Sequence, residues 1–332
     1  MEELTNFLTS IGQEVEDAEE EAFLLFAQDI PSANLGFVDA RASTVDISIH
    51  GQDYTIHQSP TLLSSSRAGG TTGAVLWKIT PLFAEWISAT NNPLRNHDLL
   101  NKSSTIVELG CGISGLIALT LASSVGHYIA TDQDYVQRLL RANLDENAPS
   151  SSQPTRKSKG SSSKKKQPPP SSKHNNNNHP QQSNITFTTL DWELDVAASL
   201  KDSLDLDIGT EDTATETETD PTDKGFDLLL SCDCIYNDAL IAPLVRTCAD
   251  ICGLRPAYTT AAGAAAESST ARKKPTVCII AQQQRSPEVF EAWLQETMEV
   301  FHVWRVRDEV LGSRLKLGGG FLVHVLVLRG EE

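Results

Sequence analysis

Two carboxylates and three glycines fall at a spacing that suits a nucleoside ligand. Glu108 stands just ahead of Gly110, Gly112 and Gly115 in Thr105-Ile-Val-Glu-Leu-Gly-Cys-Gly-Ile-Ser-Gly115, and Asp132 closes Ala130-Thr-Asp132 one strand-turn-helix-strand unit later. Glycines let the backbone pass close to a ligand, and a carboxylate at a strand end can accept ribose hydroxyl hydrogens. Glu108 is the discriminating residue. It would repel a pyrophosphate but suits ribose hydroxyls or an ammonium, which favours S-adenosylmethionine over a nicotinamide dinucleotide. Asp132 has a plainer alternative, as the N-cap of a helix over 134–146.

Further along, Leu190-Asp-Trp192 ends another apolar run. Asp191 there is placed to reach an adenine amino group, and Trp192 to cover the ring; an exposed Asp-Trp turn is the bland reading. Cys232-Asp-Cys-Ile-Tyr236 follows a strand near the sheet centre, where ligands collect because strand order reverses. Asp233 is read as an acceptor for an incoming amine and Tyr236 as a wall of its channel. The alternative is that Asp233 and Asn237 cap the next helix. Trp77 is read as opening a helix over 75–89, with its indole beside the methionine end of the cofactor or simply in the core. Methyl transfer to an amine needs alignment and desolvation more than acid-base groups. The eight histidines are scattered without ligand spacing.

These residues need a scaffold, and the pattern supplies one. Strands are expected at 105–109, 127–131, 185–190, 226–231 and 276–281, separated by helices at 114–124, 134–146, 238–251 and 287–298. That alternation implies a parallel sheet covered on both faces. The last two strands, 300–306 and 321–328, leave no room for a crossover helix, and 307–320 suits a hairpin. The predicted fold is α/β, a class I seven-stranded, Rossmann-like methyltransferase sheet with a terminal antiparallel hairpin.

The expected division is an N-terminal extension over 1–69, with an acidic helical stretch at 2–29 and a hairpin of 45–50 and 54–57, followed by the catalytic domain over 70–332. Three low-complexity insertions interrupt that domain at 149–182, 202–223 and 256–274. The first is rich in Lys, the second in Asp, Glu and Thr and the third in Ala, Ser and Thr, and none can bury enough apolar area to offset ordering.

At 332 residues and a formal charge of -17, the chain can bury a full core and lacks the basic balance of a general nucleic-acid binder. Six cysteines without a knuckle-like pair read as reduced thiols, so no metal is expected. With no long apolar span, the expected setting is the cytoplasm or the nucleus, without membrane or sequence-specific nucleic-acid contact, as a monomer.

Taken in order, Gly73-Ala-Val-Leu-Trp77, Val107-Glu-Leu-Gly-Cys-Gly-Ile-Ser-Gly115, Ala130-Thr-Asp132, Leu190-Asp-Trp192 and Asp233-Cys-Ile-Tyr236 resemble the motif set of the lysine-specific protein methyltransferase family sixteen. Within it the chain is most similar to the fungal ribosomal lysine N-methyltransferase 5 group. The resemblance implies methylation of a lysine on a large-subunit ribosomal protein of the L1 type. It also implies S-adenosylmethionine contacts from Trp77, Gly110, Gly112, Asp132, Trp192 and Cys232, the last through its backbone. Asp233 and Tyr236 match the family's Asp-x-x-Tyr motif at the lysine entrance. A methyltransferase for another protein or a small molecule, and a non-catalytic cofactor-binding module, are the competing readings.

Overall fold

The computed structural model describes residues 2–31, 36–67, 70–148, 183–201, 223–258 and 273–330. The insertion at 149–182 lies outside these residues, as do all but Asp223 of 202–223 and all but the two ends of 256–274.

The strands are β1 (Gly12–Glu14), β2 (Thr44–Ile49), β3 (Gln52–His57), β4 (Thr105–Leu109), β5 (His127–Asp132), β6 (Ile185–Thr189), β7 (Leu228–Cys232), β8 (Val277–Gln283), β9 (Phe301–Val306) and β10 (Phe321–Leu328). All but β2 and β3 form one sheet in the order β1-β9-β10-β8-β7-β4-β5-β6. From β8 to β6 neighbouring strands run parallel, whereas β10 is antiparallel to both β8 and β9. Every residue of β4, β7 and β8 is buried, as expected of central strands covered on both faces. Between β4 and β7 the chain changes direction across the sheet, which opens a crevice at their carboxyl ends.

The sheet departs from the seven-stranded expectation by one strand. Gly12–Glu14 adds an eighth at the β9 edge, pairing Gly12 with Val306 and Glu14 with Trp304. Helix Glu2–Ile11 sends Leu4, Phe7, Leu8 and Ile11 into the core on one face. Helix Ala18–Phe26 sends Ala22 and Leu25 into the core on the other. The expected single acidic helix is therefore two helices clamping a sheet edge. The link between β9 and β10 is also more than a turn, since it holds the short helix Asp308–Leu311.

The β2–β3 hairpin turns through His50 and Gly51, both at positive φ (51° and 79°), a two-residue reversal compatible with the strand twist. Its free edge is closed by side chains. Asn143 accepts from His57 N and donates to His57 O, and Asn147 does the same to Thr55 one helical turn later. Asn143 also donates to Ile113 O at 2.7 Å, which ties the hairpin to the glycine turn.

Helix boundaries moved where backbone chemistry overrode periodicity. The expected helix 75–89 begins only at Ile79, which places Pro81 in its first turn, where a missing N–H costs no intrahelical bond. The helix expected at 114 begins at Leu116 because Gly115 is left-handed (φ 58°). No helix among the described residues is long and apolar enough to cross a membrane.

Candidate functional site

The crevice at the ends of β4, β5 and β7 is a cleft holding about 970 Å³ of empty space, part of it open to solvent. It is built first from the turn after β4. Gly110 and Gly112 both take positive φ (67° and 59°). A Cβ on Gly110 would sit 2.5 Å from Cys234 Sγ and 3.3 Å from the Trp192 ring, so only glycine fits without displacing its neighbours. The turn is fixed by Cys111 N donating to Thr131 O and Ile113 N donating to Gly73 O, each at 3.0 Å.

Asp132, at the end of β5, accepts Gly112 N at 2.8 Å and Gln133 N at 2.7 Å. Each oxygen thus carries one backbone bond and keeps further acceptor capacity toward the cleft. Burial pushes its carboxyl up to about 6, against the pull of those two N–H groups. Glu108 is buried beneath the turn and accepts the Tyr128 hydroxyl at 2.7 Å. Burial pushes it up to about 7, opposed by the Tyr128 bond and reinforced by Asp132.

The expected cofactor-side aromatics also reach the cleft, in altered roles. Trp77 precedes its helix rather than opening it, in an extended stretch bridged to Phe37. Its Nε1 donates to Thr72 O at 3.0 Å, and its ring packs 4.4 Å from that of Phe37. The Trp192 ring lies beside Gly110, held by Arg246, whose Nη2 donates to Trp192 O at 2.6 Å. Asp191 uses Oδ1 to accept Glu193 N at 2.9 Å, closing its own turn at the cleft wall. Cys232 is buried with Sγ 4.0 Å from Thr80 Oγ1, and burial holds its thiol protonated.

On the acceptor side Asp233 lines the cleft and is already paired with an arginine. Its carboxylate, 4% exposed, is engaged by Arg285 in a two-pronged pair, Nη1 to Oδ1 and Nη2 to Oδ2, each 2.6 Å. Gln283 N also donates to Oδ1. Oδ1 thus takes two protein donors, whereas Oδ2 takes one and keeps further acceptor capacity, with the charge of the carboxylate offset by the guanidinium. Asp233 sits at φ 65°, a left-handed conformation that aspartate tolerates better than most residues, held by its own N–H to Ala281 O at 2.7 Å. Tyr236 is 40% exposed at the rim and shares a hydrogen bond of 3.1 Å with Thr72 Oγ1. Helix capping falls to Asn237, which accepts Ala239 N.

Trp77, Glu108, Gly110, Gly112, Asp132, Asp191, Trp192, Cys232, Asp233 and Tyr236 all line this one cleft. Thr72, Thr80, Tyr135 and Cys234 line it too and were not singled out from the sequence. Tyr135 had a findable signal, lying three residues past Asp132, and its hydroxyl accepts Gly73 N at 3.1 Å. Five side chains on the lining are carboxylates (Glu108, Asp132, Asp191, Glu193, Asp233), and none is Lys, Arg or His. That set of acceptors disfavours a pyrophosphate and suits ribose hydroxyls with a positively charged group. Among the described residues no set of three His, Cys, Asp or Glu side chains is placed to hold a metal.

The strand order with its reversed strand β10, and the cleft at the switch point, are those of a class I, Rossmann-like methyltransferase. Residues 56–158 match the family described as lysine methyltransferase. Ribosomal lysine N-methyltransferase 5 of Zygosaccharomyces rouxii is 43% identical over 107 residues, covering 29% of this chain and 34% of that protein. Its namesake in Vanderwaltozyma polyspora is 27% identical over 313 residues, covering 84% of this chain and 88% of the other. The diaminohydroxyphosphoribosylamino-pyrimidine deaminase of Schizosaccharomyces pombe is 25% identical over 300 residues, covering 90% of this chain but 55% of that protein. This chain thus spans only part of the length of the Zygosaccharomyces and Schizosaccharomyces relatives. Among solved structures, the T. thermophilus 16S rRNA N2 G1207 methyltransferase in complex with AdoMet and guanosine aligns with a TM-score of 0.43 at 12% identity, over 86% of this chain and 50% of its own.

Proposed function

We propose that this chain is an S-adenosylmethionine-dependent protein-lysine N-methyltransferase acting on a large-subunit ribosomal protein of the L1 type. The observation that carries the reading is the cleft: ten residues singled out by motif and chemistry converge there on a wall whose only charged side chains are acidic. The cofactor's charge is positive at the sulfonium and the amino group, and its ribose offers two hydroxyls. Asp132 would accept from the ribose, Glu108 and the Gly110–Gly112 turn would face the methionyl portion, and Trp192 with Asp191 would border the adenine. When bound, the cofactor supplies a methyl group already activated for transfer.

The chain's own residues have the remaining tasks. Tyr236 and Thr72 frame the mouth through which a lysine side chain would pass, and Trp77 with the neighbouring aromatic surface excludes water from its path. The acidic lining tolerates positive charge on the methylated product. No general base is required within the cleft if the amine arrives neutral. The relatives named for ribosomal lysine methylation support the acceptor class.

The direct test is incubation of the purified chain with isotope-labelled S-adenosylmethionine and a ribosomal protein fraction, followed by mass spectrometry. Label on a lysine of an L1-type protein is the expected result. Label on another protein would retain the enzyme and replace its substrate, whereas label confined to RNA or metabolites would remove the lysine reading. Tight cofactor binding with no label on any acceptor would leave a non-catalytic module.

A further inference from the structure

Asp233 and Arg285 lie on the two sides of a wall. Asp233 lines the large cleft, whereas Arg285 lines a smaller groove of about 300 Å³, and Tyr236 borders both. The guanidinium is itself fixed from several directions. It pairs two-pronged with Asp233, its Nη1 lies 3.4 Å from Gln283 O, and it packs 5.0 Å from the centre of the Trp77 indole. It also approaches Gly36, where a Cβ would come within 3.1 Å of Nη2. Its side chain is 20% exposed, so the charge is held in place and only partly solvated.

We infer that Arg285 is a positioning residue of the acceptor site: by occupying Asp233 and lying over Trp77 it places a permanent cation beside the mouth, so that the entering lysine is accepted as a neutral amine. This inference rests on the lysine reading of the cleft. An acceptor nitrogen needs its lone pair, so a protonated lysine cannot react. An unscreened Asp233 would bind that unreactive form. Arg285 removes the attraction, and its like charge lowers the proton affinity of the lysine. A lysine in place of Arg285 would retain the charge but lose the fork, because an ammonium cannot bond both carboxylate oxygens in one plane. Sequence reading had no access to this pair, whose members stand on separate loops beyond β7 and β8.

The neighbouring titratable groups are few. Cys232, Cys234 and Tyr236 feel the Asp233 charge from its own loop, with burial holding all three protonated above their usual ranges. Across the cleft stand Glu108 and Asp132. On the helix that follows Arg285, Glu288 is turned to Ser286.

Two measurements test the inference on wild type, Arg285→Met and Arg285→Lys, each checked for its fold by circular dichroism. In the first, the pH dependence of kcat at saturating substrate, which follows ionisations of the bound complex, is compared for a lysine-containing substrate. The acidic limb should move about one pH unit higher in Arg285→Met and stay near wild type in Arg285→Lys. A uniform loss of activity at every pH, with no movement of the limb, would reduce Arg285 to a structural role. In the second, n-butylammonium is titrated calorimetrically at pH 7 as a probe of the lysine side chain. Arg285→Met should bind it about tenfold more tightly than wild type, because Asp233 is freed for a cation. Equal affinity in the two proteins overturns the inference. Because this arm needs no turnover, absence of methyl transfer in wild type would sink the functional reading while still deciding the role of Arg285. If Arg285→Met does not fold, Arg285→Gln serves in both arms.

Discussion

Asp132 Oδ2 accepts the backbone N–H of Gly112 at 2.8 Å, so the carboxylate that ends β5 also braces the turn that leaves β4. A residue expected either to hold a ligand or to cap a helix does neither alone, since in this structure it organises the loop a ligand would meet. Asp132→Asn keeps the side chain's size but replaces one carboxylate acceptor with a donor. S-adenosylmethionine affinity should fall by about 1–3 kcal/mol, and Asp132→Ala should lose at least as much. Isothermal calorimetry checks both, and unchanged affinity would leave Asp132 with only its bracing role.

The raised carboxyls predict opposite pH trends for stability and for binding. Glu108 rises from 4.5 to about 7 and Asp132 from 3.8 to about 6, both through burial. With folded values above unfolded ones, the folded state holds more protons across that interval. Their contribution to stability is therefore complete below about pH 4 and is lost as pH rises toward 7. A cationic ligand prefers the ionised carboxylates, so S-adenosylmethionine should bind more tightly over the same rise. Urea melts and calorimetry at pH 5, 6 and 7 test the pair of trends. Glu108→Gln should flatten both, and an unchanged slope in that variant would assign them to other groups.

Gly110 separates steric from conformational demand. Gly110→Ala places a methyl 2.5 Å from Cys234 Sγ at φ 67°, and should cost about 2–3 kcal/mol of stability together with most cofactor affinity. Adding Cys234→Ala should restore part of the stability by removing the clash, but not the cost of the left-handed backbone. A thermal-melt double-mutant cycle reads the coupling, and strict additivity would mean that the loop shifts away from the thiol instead.

Away from the cleft, Arg255 bonds Asp223 at 2.9 Å and Asp227 at 2.7 Å, with its side chain 6% exposed. Removing it leaves Asp223 with Lys201 at 3.8 Å and the more exposed Lys273 at 3.4 Å. Arg255→Met should destabilise the fold by about 2–4 kcal/mol in urea unfolding, without altering cofactor affinity in protein that remains folded. A change below about 0.5 kcal/mol would show that the lysines suffice.

Much of this architecture was readable because burial leaves a periodic trace. Runs such as Leu228–Cys232 and Phe321–Leu328 are apolar enough to be strands in any register, and the glycine turn with Asp132 marks where they converge. Pairing leaves less trace. The three residues of β1 are Gly, Gln and Glu, with no apolar alternation, and only the flanking helices bring them to β9. Trp77 was assigned to a helix because its apolar neighbours continue the helical period upstream, whereas the backbone there bridges to Phe37. The arginine that offsets the Asp233 charge arrives from another loop, which local sequence does not show. Short-range pattern thus located the candidate site, and tertiary pairing decided what each carboxylate does.

The clamp formed by the two N-terminal helices and β1 bears on the order in which the molecule is completed. Gly12 pairs with Val306, so the first strand in the sequence closes against one of the last. During synthesis the pairing of this segment, and with it the settled burial of Leu4, Phe7, Leu8 and Ile11, must wait until β9 has emerged. Closing so long a loop is slow compared with local helix formation. Until it closes, β9 presents Trp304, Arg305 and Val306 as open ladder to other chains, the kind of edge that seeds association. Loss of the N-terminal clamp should therefore appear first as poor recovery from refolding, with aggregation rising steeply with protein concentration, before any fault is visible in the cleft.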